Sequence, residues 1–398
     1  MRAGQRHSIG AGQSVPWRGK DPLGRLLLPA RHWAPCSMLM FVDLSEVTGG
    51  AQLSLADSIR ALLRRGEHVV VVGAEGIGKV LAGESGVEMV PVPGLSLRRD
   101  GRGLTRLIWR LRPVLKTIFR QRSPEVLCAN GAISALAVSL LPGGRRRNLW
   151  YERDWRTPRP VLWWLKRRFD LTLCASDFVK ARAGQGAVRI YNGFDWEALR
   201  QAAQHPLATD IGSWLHNRPF VVGAGTMVRW KRWELFLDVF QHLHRQHREL
   251  AAVILGEARD EEGRHYQQRL KAYAQKQGIA EHIFWAGTRA NPFSVFAQAR
   301  VLCHFAECEP FGRVVCESLA LGTPVVVTTD GGGPLEIGDG VRHGFQAGEP
   351  DPQKLARLVG QLMNENGVEL TSSWFERFAI DRHVKELSVL LRQQKKES

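Results

Sequence analysis

The chain has 398 residues, too many for one ordinary core, and its 44% hydrophobic content is enough to bury two. Lys and Arg outnumber Asp and Glu by 55 to 39, a formal charge of +16 that asks for anionic partners. Six cysteines lie scattered without a C-x-x-C or zinc spacing, which excludes a disulfide framework and a zinc module and leaves reduced thiols as the expectation.

Residues 1–37 are rich in Arg, Gly, Pro and Ser, hold a single acid, Asp21, and show neither a helical nor a strand period. They read as an extension outside the fold. One explanation is an organellar transit sequence; the other, favoured by the abrupt change of pattern, is a natural start at Met38 or Met40.

From Met38 strand and helix signals alternate. "MLMFVDL", a helix over 51–65 and "HVVVVG" make a βαβ opening, with Gly49 and Gly50 after the first strand. "GAEGIGKV", starting at Gly73, matches G-x-x-x-x-G-K, but Val80 stands where a P-loop needs a hydroxyl, so a plain loop between two strands is expected.

In residues 98–122, Leu104, Leu107, Ile108, Leu111, Leu115, Ile118 and Phe119 fall at helical spacing, with Arg106, Arg110, Arg112, Lys116 and Arg120 elsewhere on the surface. Pro113 predicts a kink or a split. "EVLCAN", a helix through Leu141 that is half the length a bilayer needs, "RNLWYE" and "LTLCAS" complete a first doubly wound unit over 38–205. The polar stretch 201–218 is the expected hinge. A second unit, 206–370, has strands in "FVVGAG", "AAVILG", "IFWAG", "VLCHFA" and "PVVVTT", and one terminal helix is expected in 371–398. Cys303, His304 and Cys308 cluster but lack the rest of a metal-ligand set, so strand-end packing is the reading there and no metal site is expected.

The richest stretch is 308–333, "CEPFGRVVCESLALGTPVVVTTDGGG". Pro310, Phe311 and Gly312 form a loop, and 313–321 a short helix that ends at Gly322 before Pro324. Glu309 stands at the mouth of that helix and Glu317 inside it. Amides near Phe311 to Val314 lie at the positive end of the dipole, which attracts an anion. Phosphate at the helix end and hydroxyls near the acids suit a sugar nucleotide.

These residues resemble the E-x7-E segment of family 4 retaining glycosyltransferases. "VVGAGTMVRWKRWELFLDVF" (221–240) is similar to that family's phosphate-contacting loop and helix, "RIYNGFDWEAL" to its NG-[VIF]-D segment, and "GGAQLSLADSIRALLRRGEHVVVV" to its first glycine loop. The resemblance runs in the family's order from about Met38 onward. It implies an α/β chain of GT-B fold, two doubly wound Rossmann-like domains with a cleft between them, and a C-terminal helix crossing back onto the first.

It also implies roles. Glu317 accepts ribose hydroxyls, Glu309 meets the donor sugar, and the amides around Phe311 and Gly312 place sugar and phosphate. Lys231 neutralises the departing diphosphate, after the loop at Gly225; where the family carries an arginine this chain has Thr226, and Arg229 is the expected substitute. Arg229 and Arg232 read equally well as solvated surface. Gly49 and Gly50 let backbone approach the diphosphate. In "NLWYERDW", Glu152 or Asp154 takes the place of the family's acceptor-side His-Asp pair as orienter or base, a structural salt bridge being the equal alternative.

The implied activity is retaining transfer of a sugar from a nucleotide-diphosphate sugar, a UDP-sugar being expected, to a glycan or lipid-linked glycan in lipopolysaccharide or capsule assembly. No cofactor and no obligate protein partner are expected. Basic residues interleaved with tryptophan, as in "VLWWLKRRFD", suit peripheral contact with an anionic membrane at the cytoplasmic face. The plain alternative is an ordinary helix with solvated arginines. No nucleic-acid module is legible, so no specific nucleic acid is expected. A sugar-nucleotide epimerase of the same fold and a non-catalytic sugar-nucleotide-binding homologue are the rival readings.

Overall fold

A computed structural model describes residues 38–92, 101–142, 146–365 and 367–393, with 101–110 as backbone only. The extension 1–37, and the side chains of Leu104, Arg106, Leu107, Ile108 and Arg110 on which part of the basic-helix expectation rests, lie outside the described residues.

The first sheet forms from β-branched runs interrupted by amphipathic helices. Its opening elements are β1 (Leu39–Asp43), α1 (Gly50–Arg64), β2 (Val69–Gly73), α2 (Glu75–Val80) and β3 (Val87–Pro91). There follow α3 (Gly101–Arg122), β4 (Val126–Asn130), α4 (Gly131–Ser139), β5 (Arg147–Glu152), α5 (Arg159–Arg168), β6 (Leu171–Cys174), α6 (Asp177–Ala183) and β7 (Ala187–Arg189). The strands are parallel in the order β3-β2-β1-β4-β5-β6-β7. Both faces are covered by helices, which is why β1 and β2 are buried along their whole length and read as continuous apolar runs.

Two helices, α7 (Trp196–Ala203) and α8 (Thr209–Leu215), lead to the second sheet. It contains β8 (Phe220–Ala224), α9 (Trp233–Gln246), β9 (Ala251–Leu255), α10 (Glu261–Lys276), β10 (Ile283–Gly287), α11 (Phe293–Gln298), β11 (Val301–His304), α12 (Arg313–Ala320) and β12 (Val325–Thr328). The remainder is α13 (Pro334–Ile337), β13 (Val341–His343), β14 (Phe345–Gly348), α14 (Pro352–Asn364), β15 (Glu369–Leu370), α15 (Ser372–Arg377) and α16 (Ile380–Arg392). The order β10-β9-β8-β11-β12-β14 is again parallel, and β13 pairs with β15 antiparallel.

Each sheet reverses its winding once, between β1 and β4 and between β8 and β11. Ligands of open α/β sheets bind outside the carboxyl ends of strands at such switch points. Asp43 and Asn130 end the two strands at the first of them; Ala224 and His304 end those at the second.

Several expectations are corrected. The segment read as a loop after Gly73 folds as the six-residue α2. Its Gly76 amide bonds Ser45 O at 3.0 Å, and Lys79 pairs with Glu75 at the surface. Pro113 neither splits nor ends α3, which runs through it. The 201–218 stretch contains the end of α7 and all of α8.

The terminal helix is two, because residues 378–380 are drawn into an extended pairing with the NGFD segment. Phe194 N donates to Phe378 O at 2.9 Å and Ile380 N to Phe194 O at 2.9 Å. Beyond that pairing α16 packs on α1, with Ser58 Oγ 2.8 Å from His383 Nε2. Gly193 must be glycine here, since a Cβ would lie 2.6 Å from His383 Cβ.

Candidate active site

Glu309 is placed by backbone. The chain leaving β11 runs beside residues 330–333, with Cys308 N on Asp330 O at 2.9 Å, Glu309 N on Gly331 O at 2.7 Å and Gly333 N on Glu309 O at 2.8 Å. Cys308 sits at φ 51°, an uncommon conformation for a side-chain-bearing residue and one held by this pairing. A Cβ at Gly333 would fall 2.4 Å from Pro310 O, so the glycine run there is a condition of the close approach.

The Glu309 carboxylate pairs with the Lys231 ammonium, and His304 Nε2 lies 3.5 Å from the same oxygen. Burial pushes the carboxyl up, but Lys231 and His304 overcome it and hold the pKa at about 2. Burial, then Lys231, pushes His304 below its usual value, which favours the neutral ring. Lys231 ends the turn after β8 and reaches back over Gly225; a Cβ there would lie 3.2 Å from Lys231 Cε.

Beside the pair, α12 starts at Gly312, whose φ of 91° and 2.8 Å Cβ distance to Pro334 Cγ require glycine. Val315 N is turned back onto Gly312 O at 3.0 Å, which leaves the amides of Arg313 and Val314 at the positive end of α12. The Phe311 ring is buried among Tyr191, Phe194 and Phe378, so only its backbone is available to a ligand.

Glu317, inside α12, is also buried and accepts Arg313 Nη2 at 3.1 Å. Arg313 extends to α1 as well, meeting Asp57 Oδ2 at 3.0 Å and Ser54 Oγ at 2.9 Å. Sequence reading missed this link between the two sheets; a basic residue one helical turn before a buried acid is its only local sign.

Arg229 sits on the same turn as Lys231. It is exposed, lies over the Tyr266 ring at 5.9 Å, and makes no ion pair with Glu309 among the described residues. Thr226 uses its carbonyl to accept Trp233 Nε1 at 3.1 Å. Arg232, read as equally well solvated, instead makes a two-pronged pair with Asp330 at 2.9 and 2.7 Å.

The first sheet faces this cluster with a different chemistry. Asp43, fully buried, accepts Asn130 Nδ2 at 2.5 Å, Gln52 Nε2 at 3.0 Å and Ser45 N at 3.0 Å. Burial outweighs these bonds and raises its pKa. Arg153 donates to Asn130 Oδ1 at 2.8 Å and Asn192 Oδ1 at 2.7 Å, and stacks on Tyr151. Neither Asp43 nor Arg153 stood out in the sequence, because three amide residues from distant segments complete their surroundings.

Glu152, 1% exposed, has one oxygen on the Asp154 amide at 2.9 Å and the other buried without a hydrogen-bond partner. Burial pushes its pKa up to about 7, against the lowering effect of its hydrogen bonds. Asp154 is half-exposed and pairs with Arg156 at 3.4 Å. Arg156 lies 5.1 Å from the centre of the Trp230 ring, and Lys231 Nζ 4.4 Å from it, so the loop after β5 reaches the lysine's turn.

Gly49 and Gly50 open α1; a Cβ at Gly49 would lie 3.0 Å from Arg259 Nη2, and one at Gly50 would lie 3.5 Å from Arg313 Cδ. Among the described residues no group of three or more His, Cys, Asp or Glu is arranged to hold a metal ion.

Two sheets wound in this way, with a lysine–glutamate pair and a glycine-led helix at the carboxyl end of the second, define a GT-B protein. Residues 210–377 match the family model described as glycosyl transferases group 1. A D-inositol 3-phosphate glycosyltransferase from Corynebacterium jeikeium is 29% identical over 158 residues, 38% of this chain and 37% of that protein. The chain thus spans little over a third of that relative's length in the match. The crystal structure of Anabaena HepE in complex with UDP and glucose superposes with a TM-score of 0.71 at 20% identity, covering 89% of this chain and 99% of that one. Sucrose-phosphate synthase from Thermosynechococcus elongatus gives 0.69 at 14% identity over 90% and 99%.

Proposed function

We propose that this chain is a retaining glycosyltransferase that moves a sugar from a nucleotide-diphosphate sugar, with UDP as the first nucleotide to test, to a glycan or lipid-linked glycan of the cell surface. The observation that carries the reading is the Lys231–Glu309 pair at the mouth of α12. It holds a cation for a diphosphate and an ionised acceptor for sugar hydroxyls side by side, next to unpaired helix amides. The structural neighbour with UDP and glucose supports the class of donor.

In the reaction the anomeric carbon–oxygen bond to the diphosphate breaks and a bond to an acceptor oxygen forms on the same face. The electron pair leaves with the diphosphate, whose negative charge Lys231 and the α12 amides stabilise. The acceptor proton passes to the departing phosphate oxygen. Glu152 is the alternative base, since its pKa of about 7 lets it take a proton near neutrality.

Peripheral contact with an anionic membrane at the cytoplasmic face belongs to the same proposal. Its support is α5, where Trp163 is 58% exposed and stacked under Arg167. Not every residue of that segment is available: Trp164 donates to Ser139 Oγ, and Lys166 to the carbonyls of Ala183 and Gln185. Among the described residues no helix is long and apolar enough to cross a membrane.

Calorimetric titration with UDP, GDP and ADP tests the donor reading. Micromolar binding of one nucleotide, weakened by about 1.5–3 kcal/mol in Glu317→Ala, is the expected result. A folded protein that binds none of the three overturns it.

A further inference from the structure

Arg259 stands on the loop that follows β9 and reaches across to the opening of α1. Its Nη2 donates to Thr48 O at 2.7 Å, and its two terminal nitrogens would lie 3.0 and 3.1 Å from a Cβ at Gly49. The loop is fixed by its neighbour: Met227 N bonds Glu257 O at 3.2 Å and Gly225 N bonds Leu255 O at 2.9 Å. A Cβ at Gly256 would fall 2.0 Å from Gly225 O, so the two loops touch through glycine backbone. Arg259 therefore stands on the loop adjoining the one that leads to Lys231.

The charge around it is unbalanced. Gly49 is the N-cap of α1, the first turn of that helix contains no acid, and the side chain that caps it is neutral, Gln52 Oε1 accepting Gly49 N at 3.0 Å. A guanidinium against the positive end of a 15-residue helix is two like charges in contact, destabilising unless an anion joins them. Three cations of the cleft are already paired with carboxylates, Lys231 with Glu309, Arg232 with Asp330 and Arg313 with Asp57 and Glu317, while the buried Arg153 is held by the amide oxygens of Asn130 and Asn192. Arg259 has no carboxylate partner among the described residues, and crowding lowers its pKa despite the nearby charge of Glu257. Its side chain remains exposed enough to meet a ligand. Thr226, on the neighbouring loop, brings no charge.

We propose that Arg259 is a diphosphate-binding residue of the donor site, gripping the phosphates against the Gly49–Gly50 backbone. This assignment rests on the donor reading given above. The anion supplies what the contact lacks. It accepts from the planar guanidinium, lies at the α1 amides, and separates two positive ends that otherwise face each other. Gly49 is glycine because a side chain there would occupy the space this grip needs.

The test is titration of wild type and Arg259→Ala with the one of UDP, GDP and ADP that the wild type binds, and with the matching nucleoside. Loss of charge-assisted hydrogen bonds predicts diphosphate binding weaker by about 10- to 100-fold in the variant. Nucleoside binding should stay within about twofold. Equal losses for diphosphate and nucleoside make Arg259 a loop staple and overturn the assignment; so does unchanged diphosphate binding. A wild type that binds none of the three removes the donor reading and this assignment with it.

Discussion

The two strand-end clusters treat buried acids in opposite ways. On the second sheet Glu309 is matched with a full positive charge, so burial leaves it ionised with a pKa of about 2. On the first sheet Asp43 and Glu152 are buried mainly with neutral donors, and both are raised, Glu152 to about 7. The difference teaches that a full positive charge beside a buried carboxylate holds it ionised, as at Glu309, whereas burial among mainly neutral donors raises it, as at Asp43 and Glu152. Glu317, raised by burial despite Arg313, shows that the contrast belongs to these positions and not to whole sheets. In the proposed reaction a diphosphate that leaves as an anion suits the first property, and an acceptor hydroxyl that loses a proton suits the second.

Breaking the Lys231–Glu309 pair should have the largest effect. Lys231→Ala strands a buried carboxylate and is expected to cost about 3–5 kcal/mol in denaturant unfolding, much of it recovered when Glu309→Gln is added. Transfer should fall by about 10²–10³ in kcat, as for the loss of one donor to a developing anion. An unfolding midpoint that does not move in Lys231→Ala would mean the pair is not a closed charge unit.

Glu152 gives the next largest effect, with the opposite sign. A carboxyl whose folded pKa is raised from 4.5 to about 7 withdraws stability as pH rises through that window. Glu152→Gln should therefore stabilise the protein above pH 7, by up to about 3 kcal/mol, and change little below pH 4.5. Equal effects at pH 4 and pH 8 would rule out a neutral carboxyl.

Glu309 runs the other way. Its folded pKa lies below its ordinary value of 4.5, so its contribution is complete above 4.5 and is lost as pH falls toward 2. Acid unfolding of the wild type between those values should be steeper than that of Lys231→Ala. Gly312→Ala comes next, at about 1–3 kcal/mol from the strained backbone and the contact with Pro334. Arg229→Ala, an exposed residue outside the charge network, should stay within about 0.5 kcal/mol in stability and leave diphosphate affinity unchanged.

Much of the fold was legible because its strands are unbroken runs such as "HVVVVG" and "AAVILG", which only a sheet covered on both faces can bury. The weaker strands were not. Ala187–Arg189 is three residues long and Phe345–Gly348 is partly exposed, so neither carries a distinctive period. The division of the C-terminal stretch into α15 and α16 depends on Phe194, nearly two hundred residues upstream, and no local pattern announces it.

In the site the same boundary appears between local and distant causes. By itself the sequence determined that Glu309 sits at the mouth of a helix begun by Pro-Phe-Gly, that Lys231 follows a glycine loop, and that parallel sheets alternate with helices. These follow from turn chemistry and periodicity within a few residues. Tertiary structure alone decided that His304 faces Glu309, that Arg313 crosses to Asp57, that Arg229 lies over Tyr266 while Arg259 reaches Gly49, and that Glu152 is buried with one oxygen unpartnered. Charge and protonation depend on what lies within a few ångströms, and in a doubly wound fold those neighbours come from strands far apart in the chain.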